Sequence, residues 1–197
     1  MALLHALLRP IQAWNDFVLP IGRWISILAI ALMVLAILIQ VFFRYILNNA
    51  LPWPDEAARF MMLWLTGLMA PMAFRRGGFV AIDMVVQAMP AKVGQIISIF
   101  LLLISAGVLA MAVSIGWSEV TGFGGSFKTA SLYLPLSFDL TEWFRIPRSW
   151  MMASLLVGVV LLFIVNIELI LRALITYLGG GDTLKELMPP EEEIMAE

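Results

Sequence analysis

Residues 24–43 carry no charged side chain, and Arg23 and Arg44 bracket them. Wound as a helix, that run reaches about 30 Å, the thickness of a bilayer's hydrocarbon core. Residues 93–118 repeat the pattern over about 39 Å, more than one core, so that helix must tilt or protrude. Residues 149–167 do so again over about 28 Å. A fourth run, residues 60–74 between Arg59 and Arg75, covers only about 22 Å, so its helix must take in residues 55–59 or the bilayer must thin locally. The expectation is an all-α integral membrane protein with four transmembrane helices, at about 24–43, 55–75, 93–118 and 149–170.

Composition agrees. Of 197 residues, 62% are hydrophobic and 13% charged, with a mean hydropathy of +0.96. A soluble domain of this length has too much surface to hide that much apolar matter. The net charge is -2 and no basic run suits nucleic acid. The chain has no cysteine, which removes disulfides, thiolate metal sites and cysteine nucleophiles together. Its one histidine is His5, so the chain alone offers no paired histidines to a haem or a metal. There is no G-x-S-x-G elbow and no glycine-rich loop before a lysine, and a serine nucleophile would lack a base. No enzyme activity, cofactor, metal or substrate-binding residue is expected.

The segments between the spans carry their own patterns. His5, Arg9 and Gln12 share a helical face opposite Leu3, Leu4, Leu7 and Leu8, which reads as an interfacial amphipathic helix over residues 1–15. A cleaved signal peptide would place its charge before the apolar run, whereas Arg9 follows it. Asp83 and Gln87, four apart in the short stretch 79–89 closed by Pro90, predict a second interfacial helix between spans two and three. Ser26, Ala29, Met33, Ala36, Gln40 and Arg44 form a face of smaller and polar groups on the first span. Ala106, Ala110 and Ser114 make a small-residue ladder, and Ser154 with Gly158 a close-packing spot. The connection 119–148 is rich in aromatics, which favour the headgroup zone, so it folds back on the membrane surface or meets a partner there. Glu168 and Arg172 are spaced for a helix-end ion pair. Gly179-Gly180-Gly181 divides the membrane domain, residues 1–178, from an acidic tail, 179–197, expected to be mobile.

Four spans put both termini on one side. That side would hold Arg9, Arg23, Arg75, Arg76, Lys92, Arg172 and Lys185, which predicts cytoplasmic termini. Lys128, Arg145 and Arg148 would lie opposite, with Arg44 and Arg59 at the membrane edge.

Residues 40–79 hold the charges that need an account. After Asn48-Asn49 and the Pro52-Trp53-Pro54 corner come Asp55, Glu56 and Arg59, at the mouth of an apolar segment. Ionisable groups there need partners or water. Asp55 and Glu56 suit the positive end of a helix dipole, and Arg59 is spaced to pair with either. Three roles are open. The charges cap a helix start, or Arg44, Glu56 and Arg59 form an ion-pair cluster bracing two helices or a partner, or Glu56 carries an ion. The last is the weakest, because a pathway would place polar groups through the midplane.

The run VFFRYILNNALPWPDEAARF, followed by W-x-x-G-x-x-x-P-x-A-F-R-R-G-G-F-V-A-I-D, resembles the small membrane subunit of tripartite ATP-independent periplasmic (TRAP) transporters. The family pattern maps onto Arg44-Tyr45, Trp53, Glu56 with Arg59, Arg76 with Gly77 or Gly78, and Ile82-Asp83. Phe79 stands where family members often carry a histidine. The resemblance is strong over residues 40–83 and general elsewhere. It implies a three-part system in the cytoplasmic (inner) membrane of a bacterium or archaeon. A periplasmic substrate-binding protein captures an organic acid, a large membrane subunit moves it with sodium, and the small subunit braces the large one among the membrane lipids. Arg44, Trp53, Asp55, Glu56, Arg59, Arg76 and Asp83 are then candidates for structural or partner-interface roles. The rival from another class is a membrane-anchor subunit of a redox complex, against which the lack of paired histidines argues. A small ion channel is a further rival.

Overall fold

In hydrocarbon a backbone has no water to bond, so an apolar run must satisfy its own N–H and C=O groups as a helix. The computed structural model describes residues 2–77, 90–135, 143–181, 184 and 187. It contains helices α1 (Ala2–Tyr45), α2 (Trp53–Arg75), α3 (Ala91–Thr121) and α4 (Ser149–Tyr177). All four are long and apolar enough to cross a membrane. The helices run up and down, with α2 lying between α1 and α4 while α3 packs on α4.

α1 differs from expectation. Residues 2–15, expected as a separate interfacial helix, continue without a break into the first span. Pro10 and Pro20 lie inside the helix, and each removes one backbone hydrogen bond. Packing explains why the helix survives them. Leu8, Asn15, Leu19, Gly22, Ser26, Ala29, Ala36 and Gln40 are all buried, at steps of three, four or seven that keep one face on the bundle along nearly the whole length. Most of the expected small and polar face is therefore docked, while Arg9 and Arg44 are exposed. The chain then reverses through Asn48, whose φ of 49° is one that asparagine tolerates better than most residues.

α2 and α4 meet where neither has a side chain. A Cβ on Gly158 would lie 2.7 Å from the Cα of Gly67, and one on Gly67 would collide with the carbonyl of Ser154. Ser154 and Gly158 thus form the close-packing spot their spacing suggests, with Gly67 opposite. Because the obstacle is backbone, it cannot swing aside. Gly158→Ala is expected to destabilise the bundle by about 2 kcal/mol through overpacking, read as a lower unfolding midpoint in mixed micelles. An unchanged midpoint would show that the helices separate there without penalty.

The ladder on α3 behaves otherwise. Ala110 and Ser114 are exposed, and among the described residues nothing beyond the helix's own backbone comes within 4 Å of a Cβ built on Gly107. Among the described residues α3 packs chiefly on α4, so much of its surface, including those small residues, faces outward. The Nδ2 of Asn166 donates to the carbonyl of Leu102 at 3.1 Å and ties the two helices. Leu19, Phe74 and Val165 form the core, and Leu102 of α3 packs against it with Leu162 and Leu169 of α4.

The connection between α3 and α4 is more ordered than its composition announces. A 3-10 turn, Phe123–Ser126, leads into strand β1 (Lys128–Pro135), which pairs antiparallel with β2 (Trp143–Pro147). Lys128 opposes Pro147 and Tyr133 opposes Arg145, so β1 takes five steps where β2 takes two, and the surplus bulges out. The expected interfacial helix at 79–89, with Asp83, lies outside the described residues. So does the acidic tail beyond 181, apart from 184 and 187.

Candidate functional site

Among the described residues the ionised side chains that are bonded across the bundle gather in two clusters. Glu56 of α2 and Arg75, one in each cluster, are separated by about 28 Å of helix, close to one hydrocarbon core.

At the α1–α2 corner Glu56 lies in the first turn of α2, where its charge also complements the helix dipole. Its carboxylate accepts the backbone N–H of Ala130 at 2.9 Å and that of Ser131, both in the bulge of β1. The Ser131 hydroxyl lies 2.6 Å from Glu56 Oε2 and 2.9 Å from the Pro52 carbonyl, and its one proton can go to either. From the other side Arg145 of β2 donates to the carbonyls of Thr129 and Ala130 and stacks over the Tyr133 ring at 5.5 Å. These are the same two peptide units. Each points its C=O at the Arg145 cation and its N–H at the Glu56 anion, so their dipoles lie along the field between two charges. A bulge would otherwise leave these groups unpaired at a membrane edge. Thr129 closes it by donating to the Ile146 carbonyl at 2.7 Å.

The other cluster lies across the bundle. Glu168 of α4 is fully buried, and its Oε1 accepts from Arg75 Nη2 at 2.8 Å and from Arg172 Nε at 3.0 Å. Its Oε2 accepts from Asn15 Nδ2 at 2.6 Å, and Arg75 Nη1 reaches Asp16 at 2.7 Å. Among the described residues two acids and two arginines, from α1, α2 and α4, make a knot in which these charges balance. Taking an ion out of water carries several kcal/mol of penalty, offset here by charge-assisted contacts from three helices.

The expected partners at the corner do not come together. Arg59 and Asp55 are exposed, and neither makes an ion pair with Glu56 or Arg44 among the described residues. Arg44 rests over the Tyr45 ring at 5.9 Å. Trp53 is 39% exposed, and Arg76 caps α2 through its backbone N–H. Glu168 and Arg172 pair as their spacing suggests. Asn15, Asp16 and Ser131 carried no local signal, since their partners lie 59 to 153 residues away. Among the described residues no three His, Asp or Glu side chains converge to hold a metal ion.

A family model described as "Tripartite ATP-independent periplasmic transporters, DctQ component" matches residues 33–176. The match takes in the corner, the ribbon and all of the knot except Asn15 and Asp16. No curated protein matches the chain.

Proposed function

The chain belongs to the DctQ component family of tripartite ATP-independent periplasmic transporters, and from that premise we propose that it acts as a membrane scaffold for the large subunit. In this reading a periplasmic binding protein delivers an organic acid, and the large subunit carries it inward with sodium. The small subunit braces that partner without binding solute or sodium itself. Residues 1–178 are the membrane domain of the inner membrane, with both termini in the cytoplasm as the arginine and lysine bias suggests.

The observation that supports scaffolding over conduction is where the charges lie. Each cluster ties its own helices or strands together, and the helix between them offers packing contacts such as the Gly67–Gly158 crossing. A conducting path would need ionisable groups through the midplane. The outer faces of α1 and α3, with Phe17, Trp24, Phe100 and Met111 exposed, leave apolar surface for lipid and a partner helix.

Co-expression with the large subunit tests this. The tagged chain is expected to recover the large subunit in constant ratio, and Arg59→Ala to lower that recovery while leaving solute affinity unchanged. Vesicles holding this chain alone are expected to show no sodium-driven uptake, and vesicles with both subunits and the binding protein to show it. Uptake by the chain alone would overturn the proposal.

A further inference from the structure

Beside the knot, α1 and α2 part around a cavity of about 320 Å³, at the small end of ligand-sized clefts. One wall is apolar, made by Leu19 and Pro20 of α1, Met72 of α2, and Leu187. The lip is polar, made by Asp16, Arg75 and Arg76. Lying about one hydrocarbon core from Glu56, it falls at headgroup level on its side of the bilayer.

Among the described residues the charges at the lip do not cancel. Asp16 and Glu168 balance Arg75 and Arg172 within the knot. Arg76 adds a further positive charge; it is exposed, and its guanidinium makes no ion pair among the described residues. Arg75 directs Nη1 and Nη2 to Asp16 and Glu168, while its buried Nε has no acceptor among the described residues. A buried donor without an acceptor is costly, more so on a charged group. Two consecutive arginines thus offer donors to an anion, next to a wall that suits a hydrocarbon chain.

We propose that this cavity holds the phosphodiester of an anionic membrane phospholipid. Arg76 supplies the charge and Arg75 Nε–H a second hydrogen bond, while the acyl chain follows Leu19, Pro20 and Met72. Cationic pockets between membrane helices are suited to such head groups. The inference rests on the membrane reading of the chain and not on its transporter partners, so it is tested without them.

The test is native mass spectrometry of the full chain released from detergent, with phosphatidylglycerol or phosphatidylcholine added at matched concentrations. Phosphatidylglycerol adducts are expected to survive about fivefold better, the worth of one cation near the membrane surface. Arg76→Gln is expected to abolish that preference without unfolding the chain, because the side chain is exposed. Arg23→Gln removes another exposed arginine of α1 and should leave it intact. Equal retention of the two lipids, an unchanged preference in Arg76→Gln, or an equal loss in Arg23→Gln would each overturn the proposal. So would displacement of phosphatidylglycerol by millimolar inorganic phosphate, which would mark a site for soluble anions instead.

Discussion

Glu168→Leu is expected to lower the unfolding free energy by about 3–5 kcal/mol, the range for breaking a buried charge network from one side. Glu168 is fully buried and holds Asn15, Arg75 and Arg172 together. Its removal takes from the Arg75 and Arg172 guanidiniums the carboxylate they share, and the Asp16 that also pairs with Arg75 is 42% exposed. Leucine cannot accept a hydrogen bond, so these cations must draw in water or pull the helices apart. Unfolding in mixed micelles, followed by helical circular dichroism, measures the loss. Glu168→Gln keeps the volume and one acceptor oxygen and should fall between the two. Replacing Arg75 and Arg172 by methionine in the leucine background should recover much of the loss, since apolar substitutes for a whole buried network are tolerated better than a broken one. A loss below about 1 kcal/mol would place the knot among solvated surface pairs.

Glu56→Ala is expected to release the ribbon and little else. The carboxylate receives two backbone N–H groups from one bulge, with the Ser131 hydroxyl beside it. Bonds to a charged acceptor contribute about 1.5–3 kcal/mol each, and they are not additive. A local loss of about 3 kcal/mol corresponds to amide exchange at Ala130 and Ser131 faster by on the order of 100-fold. Amides in the middle of α4 should keep their rates, because the knot lies about 28 Å away and shares no partner with Glu56. Arg145→Met removes the opposite charge from the same two peptide units. A double-mutant cycle should therefore show coupling between Glu56 and Arg145 although no direct bond joins them. Uniform acceleration along all four helices would mean that Glu56 supports the whole bundle instead of the ribbon.

The two clusters differ in how far they could be read in advance. At the corner Glu56 bonds the amides of β1 and not the Arg59 that its spacing favoured. Arg59 sits three residues from Glu56, a spacing that favours a pair on a helix surface. In the structure Arg59 is exposed, and water serves an exposed guanidinium about as well as a carboxylate does. The bulge of β1 turns two amide N–H groups toward the carboxylate at once, with Arg145 on their carbonyls, so the carboxylate goes to them. In the knot, the Glu168–Arg172 pair was visible because it is local. Arg75 read as one more positive charge at a membrane edge, and nothing near Asp16 showed that it faced α2.

The spans, their small-residue faces and the family pattern around the corner follow from the sequence alone, for one physical reason. Whether a run of residues can lie in hydrocarbon depends on that run's own length and charges, and a helix closes its hydrogen bonds within a few residues. What the tertiary structure decided is everything that needs two distant segments at once. It joined residues 2–15 to the first span through a face docked on the bundle, turned the α3 ladder outward, paired the ribbon, and directed Glu56 and Glu168 to donors up to 75 and 153 residues away. Those outcomes rest on which distant groups come within reach of one another, and that is settled only when the helices pack.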